Sequence, residues 1–298
     1  MTVTGHNAPA PLSADDRLSE AKNPSVLSLL LGNRSVFWGG VLLALMVLIA
    51  VFGPFFTLDP IALNPMNRLK PPSAAVLFGS DFLGRDVFAR VIYGARISLV
   101  VGLAVALVAI SVGLVLGMVA GYIRALDAVI MRVMDGLMAI PGILLAIALI
   151  SLSGATLGTV IAAIVVPEIP RVVRLVRAVV LTVREEPYVE AAIAAGTRLP
   201  MILTRHILPN TTAPLIVQAS YICGSAMLTE SILGFLGAGI PPEIPSWGNI
   251  MSEGRTYFQI SPWIIFYPGV ALALTVLAVN VVGDGLRDTL DPRIARKM

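Results

Sequence analysis

Charged side chains are scarce in this sequence: only 13% of its 298 residues are Asp, Glu, Lys or Arg, whereas 57% are hydrophobic. A soluble domain of this size carries charge at about a quarter of its positions. The mean hydropathy is +0.88, and long apolar runs recur along the chain. This composition excludes a soluble globular protein and predicts an all-α polytopic membrane protein surrounded by membrane lipid.

Residues that carry catalytic chemistry are equally few. Lysine occurs only as Lys22, Lys70 and Lys297, and none of them follows a glycine. A Walker A loop requires Gly-Lys followed by Ser or Thr, so this chain does not hydrolyse ATP through that motif. The two histidines, His6 and His206, and the single cysteine form no metal-ligand pattern. We therefore expect no catalytic residue, no metal site and no cofactor bound by this chain, and no nucleic-acid partner.

Six apolar segments approach or exceed the roughly 20 residues that a helix needs to cross a bilayer. They cover residues 36–56, 97–122, 128–152, 157–180, 212–234 and 263–284. An even number of spans places both termini on one side. With the N terminus inside, fifteen of the 21 Lys and Arg residues lie on the inner side and six on the outer side. The positive-inside rule therefore predicts cytoplasmic N and C termini.

These segments divide the chain into five parts. We expect a cytoplasmic N-terminal tail, a first transmembrane helix, an extracytoplasmic loop, a five-helix core and a cytoplasmic C-terminal tail. Their boundaries are 1–35, 36–56, 57–93, 94–290 and 291–298. The tail 1–35 lacks the apolar core of a signal peptide. The core contains a polar cytoplasmic loop at residues 184–210.

The polar loop has strong helix start and stop signals. Pro187 is suited to the first turn of a helix, where its missing N–H is harmless. Gly196 is the expected left-handed residue just after that helix. Pro200 then begins a second short helix, which we expect to end before Pro209. The pattern predicts a helix-turn-helix between two spans, although alanine-rich helices closed by glycine are common in themselves.

The same loop carries the first resemblance to a known family. Its distinctive residues are Glu190, Ala191, Ala192, Gly196, Leu208 and Pro209. The glycine follows the glutamate by six residues, and the Leu-Pro pair follows twelve and thirteen residues after the glycine. This spacing resembles the cytoplasmic EAA loop of permease subunits of bacterial ABC importers, and it implies that these residues couple the chain to an ATPase. One position departs from the family pattern, because His206 stands where an isoleucine is usual.

Other segments are similar to the dipeptide, oligopeptide and nickel permease subgroup. They are Gly-Ser-Asp and Gly-Arg-Asp within 79–86, Glu-Ser-x-Leu-x-Phe-Leu-Gly at 230–237, Pro-Ser-Trp-Gly at 245–248, Glu-Gly-Arg at 253–255 and the segment 283–292. The resemblance implies outer loops that face a binding protein, with Asp81, Gly84, Arg85, Asp86, Trp247 and Gly248 as the candidate residues. The alternative is an ordinary outer loop held by local salt bridges.

The resemblance implies a type I ABC importer permease fold in the bacterial inner membrane. It further implies a second homologous permease subunit, two ATP-binding cassette subunits that bind ATP and Mg²⁺, and an extracytoplasmic solute-binding protein. The substrate stays open among dipeptides, oligopeptides, glutathione-like peptides, nickel chelates and opines. An ion-coupled secondary transporter is the alternative class, but it would be expected to show inverted repeats, and none is evident.

Ionisable residues interrupt the fourth predicted span. Glu168 lies about half-way across, between Pro167 and Pro170, and Arg171 and Arg174 follow it. Charged groups at membrane depth face a protein interior or a wet cavity. Glu168 therefore either lines a transport pathway or forms a structural ion pair with Arg171 or Arg174.

Two other spans contain glycine or proline at informative positions. Gly113, Gly117 and Gly121 recur every four residues, which predicts either close helix packing or a glycine-lined path. Pro141-Gly142 predicts a kink in the third span.

Overall fold

The computed structural model describes residues 34–290 as a helical protein. The helices are α1 Arg34–Phe52, α2 Val87–Tyr122, α3 Arg124–Met138, α4 Gly142–Ser153, α5 Leu157–Val183, α6 Pro187–Ala194, α7 Leu199–Ile202, α8 Leu208–Phe235, α9 Trp247–Gly254 and α10 Trp263–Leu290. Within this range there is no β-strand, only an isolated bridge between Ser80 and Asp86. The all-α prediction is confirmed. The predicted tails lie outside the described residues, apart from residues 34 and 35.

Among the described residues, fewer helices than the six predicted spans have both the length and the hydropathy of a membrane-crossing helix. Within residues 34–290, helices α1, α2 and α10 are long and apolar enough to cross a bilayer, and the pair α3 and α4 is a fourth candidate. Helices α5 and α8 contain 27 and 28 residues, which is long enough, but polar side chains interrupt their apolar character. The count of six spans therefore stays a prediction.

The third predicted span differs from the expected single helix. The break near Pro141 is present as predicted, but α3 and α4 meet at an angle of 89°. Helix α4 has 12 residues and at about 1.5 Å per residue it falls well short of a bilayer core of roughly 30 Å. Proline cannot donate the hydrogen bond that would continue α3, so the chain changes direction at this point.

The three glycines of α2 lie against α5. A Cβ atom added at Gly117 or Gly121 would lie 2.6 Å from the Cβ of Val176 or Val180, and one added at Gly113 would collide with Val172. The absence of side chains thus lets the two helix backbones approach closely. Close packing, one of the two predicted alternatives, is confirmed.

We expect Gly117→Ala to destabilise the protein by about 1 to 3 kcal/mol, because the added methyl group has no space against Val176. The measurement is the thermal unfolding midpoint of the purified protein in detergent. Gly40→Ala is the matched control, since no atom lies within 4 Å of an added Cβ there. An unchanged midpoint for Gly117→Ala would contradict the packing interpretation.

Candidate functional site

The turn of the loop 184–210 has the predicted geometry. Helix α6 begins at Pro187, and Gly196 adopts a φ of +77°. The N–H of Gly196 donates to the carbonyl of Ile193 at 2.9 Å, and the N–H of Thr197 donates to that of Ala192 at 3.1 Å. These two bonds form a Schellman motif that ends α6 and reverses the chain.

Helix α7 starts near Pro200 and ends at Ile202, before Pro209, as predicted. The residues between α7 and Pro209 are also helical, which the sequence did not predict. A π-helical turn at Leu203–Ile207 joins it to α8, and the N–H of Leu208 donates to the carbonyl of Leu203. Pro209 has no N–H to donate to a regular α-helical turn, and it falls in the first turn of α8, where none is needed. The chain therefore continues as one bent helical path.

The loop 184–210 buries some of its apolar side chains against the protein and exposes others. Val189, Ile202 and Ile207 are buried. The large exposed apolar residues are Tyr188, Ile193, Leu199 and Met201, with 37 to 53% of their surface accessible. Of the residues that carry the resemblance, Ala192 and Leu208 are half-buried, and Glu190, Ala191, Gly196 and Pro209 are exposed. An exposed apolar surface of this kind is typical of a protein-binding site.

His206, the position that departs from the family pattern, packs within the loop. Its ring centroid lies 6.1 Å from that of Tyr188 on α6. Asn210 donates through its side-chain amide to the Tyr188 hydroxyl at 3.1 Å and to the His206 carbonyl at 2.7 Å. These contacts tie the π-helical turn to α6.

Away from the loop 184–210, four charged side chains form a closed network. Asp81 accepts from Arg85 at 2.6 Å and from Arg90 at 2.7 Å, and Glu253 accepts from both arginines at 2.5 Å. Asp81 is fully buried, and Arg90 is almost so. Two positive and two negative charges balance, and they join the outer loop, the start of α2 and helix α9.

The six residues predicted to face a binding protein are mostly interior. Asp81, Gly84, Arg85, Trp247 and Gly248 are buried, and Asp86 is half-buried. The Trp247 indole donates to the carbonyl of Val91 at 3.0 Å, which fixes α9 against α2. These side chains support the loop 57–93 from within the protein. Contact between this region and a binding protein stays a prediction. The salt bridges expected for the alternative, an ordinary loop held by local salt bridges, are present.

Asp86 begins α2. Its carboxylate accepts from the N–H of Phe88 at 3.0 Å, as expected of an N-cap. Burial raises the pKa of the Asp86 carboxyl, and the backbone N–H groups of Phe88 and Ala89 act in the opposite direction. The residue therefore has a structural role at the start of the helix.

Sequence reasoning missed Arg90 and Glu253 as partners in the outer network. Glu253 belongs to the Glu-Gly-Arg segment noted above, which was the only available signal. Its arginine partners are 163 and 168 residues away along the chain, so no local pattern reveals the pairing.

Glu168 forms an ion pair and also lines a cavity. The guanidinium of Arg171 donates to its two carboxylate oxygens at 3.1 and 3.2 Å. The Arg171 side chain is 48% exposed, so the pair is not enclosed. A cavity of about 390 Å³ opens beside it. Its polar lining residues are Glu168, Arg171, Tyr221, Ser225 and Thr229.

Arg174 does not contact Glu168. It donates to Asp135 at 2.6 Å instead, and Arg177 donates to both carboxylate oxygens of Asp127 at 2.5 and 2.7 Å. These two pairs join α5 to α3. The contact of Glu168 with Arg171 is thus present and one with Arg174 is not, because α3 brings its own carboxylates alongside α5. The role of Glu168 in the pathway or in a structural pair stays a prediction.

A second polar cavity, of about 420 Å³, lies between α8 and α10 and shares Tyr221 with the first. Its polar lining residues are Gln218, Ser220, Tyr221, Asn280, Asp284 and Arg287. The Tyr221 side chain is 56% exposed between the two cavities. We call this continuous region of α5, α8 and α10 the polar face.

Two protein-family models match this chain. Residues 113–296 match the model of the binding-protein-dependent transport system inner membrane component. The chain belongs to this family. In addition, residues 26–72 match the N-terminal TM domain of oligopeptide transport permease C. The predicted family is confirmed: the chain is an ABC transporter permease, and ATP hydrolysis belongs to a separate subunit.

Curated relatives extend over nearly the whole chain. A probable peptide ABC transporter permease of Sinorhizobium fredii is 58% identical over 88% of this chain and 90% of the relative. A putative peptide transport system permease of Brucella abortus is 46% identical over 92% of this chain and 93% of the relative. The dipeptide transport system permease of Alkalihalophilus pseudofirmus is 43% identical, over 88% and 87% respectively.

Proposed function

We propose that this chain forms half of the pathway through which an ATP-driven importer carries peptides across the bacterial inner membrane. The polar face is the observation that supports this most directly. Ionisable and amide groups there are open to the surroundings, whereas hydrocarbon would leave them without partners at high cost. A second homologous permease, most simply in a heterodimer, would cover the face and enclose a wet pathway.

The chemistry of the polar face suits peptides. It carries the carboxylates Glu168 and Asp284 and the guanidinium groups Arg171 and Arg287, together with the Tyr221 hydroxyl. A peptide presents an ammonium group, a carboxylate and amide groups, for which these side chains are complementary. The names of the relatives, which refer to peptides and dipeptides, agree with this substrate class.

ATP hydrolysis would be coupled to transport through the loop 184–210. We infer that its exposed apolar projection docks in a cleft of an ATP-binding cassette subunit, one of two that bind ATP and Mg²⁺. This places residues 184–210 and both termini in the cytoplasm and completes six spans in a type I arrangement. The boundaries of tails, outer loop and core then follow the predicted ones.

The outer face would receive the substrate. The buried network of Asp81, Arg85, Arg90 and Glu253 holds the outer loop and α9 in one rigid unit. A rigid outer surface of this kind is suited to contact with an extracytoplasmic solute-binding protein, which would deliver the peptide to the polar face.

Glu168→Gln tests the pathway proposal. We expect a normal amount of assembled complex and a several-fold change in dipeptide uptake, because the Glu168 pair is open to the cavity and loses its charge. The amount of extracted complex and the uptake rate are measured together. Asp288→Asn, which changes an exposed carboxylate near the end of α10 that lines neither cavity, is the control.

Less assembled complex with unchanged uptake per complex would instead assign Glu168 to a structural pair. A Gln variant with a normal amount of complex and a normal uptake rate would show that Glu168 has neither the pathway role nor the structural role.

A further inference from the structure

A separate groove of about 540 Å³ lies between α1, α2, α8 and α10. Its walls are almost entirely aliphatic. The lining residues on α2 are Arg96, Leu99, Val100, Leu103, Ala106, Leu107 and Ile110. Leu43, Val47, Ala50 and Val51 of α1 form the facing wall. We call it the α1–α2 groove.

Arg96 is the only charged residue that lines this groove. Its side chain is exposed, and it takes part in none of the salt bridges found among residues 34–290. Arg90, on the same helix, instead has two carboxylate partners. The Arg96 guanidinium is therefore available to bind an anion beside the aliphatic groove.

The depth of Arg96 indicates which anion is available. It immediately precedes the apolar stretch 97–122, so in the proposed orientation it lies at the level of the outer headgroups. From Arg96 to Ile110 the groove follows α2 for about 21 Å, at about 1.5 Å per residue. One leaflet of the hydrocarbon core is about 15 Å deep, half of the roughly 30 Å total. The groove therefore has the length of an acyl chain and its charge at the headgroup end.

We propose that the α1–α2 groove is a binding site for one phospholipid of the outer leaflet. The Arg96 guanidinium donates to the phosphate, for which its fork of N–H groups is suited, and an acyl chain lies along the aliphatic wall. Free phosphate is excluded as the occupant, because it would leave the aliphatic length of the groove unfilled. The proposal uses the membrane orientation inferred above, but it does not depend on the transported substrate.

Native mass spectrometry of the full-length chain, purified with its co-purifying subunits from membranes supplemented with palmitoyl-oleoyl phosphatidylglycerol, tests this site. We expect retained phospholipid in the wild type and about a tenfold lower affinity in Arg96→Gln, as expected for loss of a charge-assisted hydrogen bond. Arg68→Gln, which changes an exposed outer arginine away from the groove, should retain lipid normally. Leu103→Trp keeps Arg96 but fills the groove, and it should also lose the lipid.

A photo-reactive diazirine side chain of about the size of leucine at Leu103, which leaves the groove open, identifies the occupant independently. We expect an adduct with the mass of a phospholipid. An adduct with another protein subunit would overturn the proposal, as would equal retention of phosphatidylglycerol by wild type and Arg96→Gln. Retention of diacylglycerol as strong as that of phosphatidylglycerol would overturn the role of Arg96 in binding phosphate. None of these outcomes depends on peptide uptake, so they are distinguishable from a failure of the proposed transport function.

Discussion

Gly196→Val is expected to lower the substrate-stimulated ATPase activity of the assembled importer about tenfold while leaving the chain in the membrane. Gly196 has a φ of +77°, a conformation that costs an L-residue roughly 1 to 2 kcal/mol and a β-branched residue more. Relief of this strain would unwind the Schellman turn and misplace α6 and α7. No atom lies within 4 Å of an added Cβ, so the effect comes from the backbone conformation and not from a steric clash.

Gly154→Val is the matched control for this variant. Gly154 has a φ of +82° and equally open surroundings, but it follows α4, on the outer side in the proposed topology. Its ψ of 152° gives a backbone conformation that only glycine adopts readily, so Gly154→Val should carry at least as much strain, without a coupling defect. Gly196→Asn should retain most activity, because asparagine tolerates the left-handed conformation. Normal coupled transport by Gly196→Val, or an equal defect in Gly154→Val, would contradict the coupling role.

Asp81→Asn is expected to have the largest effect on folding. Both Arg85 and Arg90 donate to the fully buried Asp81 carboxylate, and the neutral amide would leave excess positive charge in the interior. Loss of one partner from a buried ionic group costs about 3 to 5 kcal/mol. We therefore expect a large drop in the amount of folded protein extracted from membranes and in its thermal unfolding midpoint.

Asp135→Asn provides the comparison. It breaks an ion pair of similar length, 2.6 Å to Arg174, but both side chains are about half exposed. An exposed pair contributes about 0 to 1 kcal/mol, so the midpoint should hardly change. Equal midpoints for the two variants would show that burial of the outer network does not stabilise the fold.

Features governed by local chemistry could be predicted from the sequence. The start of α6 at Pro187 and the left-handed turn at Gly196 follow from residues whose backbone preferences act within one turn. The periodic glycines of α2 likewise indicated a close helix contact. The family itself could be recognised because its motifs are short and contiguous.

Features governed by distant contacts could not be predicted. The network of Asp81 with Arg90 and Glu253 joins segments far apart in the chain. Arg174 pairs with Asp135 although Glu168 is nearer in sequence, because the sharp bend after α3 lays that helix beside α5. Pro141 indicated the bend, but its angle depends on the packing of both helices. The polar cavities arise where α8 packs beside α5 and α10, which are distant from one another in the chain.

The central claim is that this chain is a transport subunit without its own energy source. Its most direct test is uptake of a labelled dipeptide by liposomes that contain this chain alone, or this chain with a second permease, two ATP-binding cassette subunits and the solute-binding protein. We expect ATP-dependent uptake only by the complete set, with loss when Gly196→Val replaces the native chain. Uptake by this chain alone, driven by ATP or by an ion gradient, would contradict it.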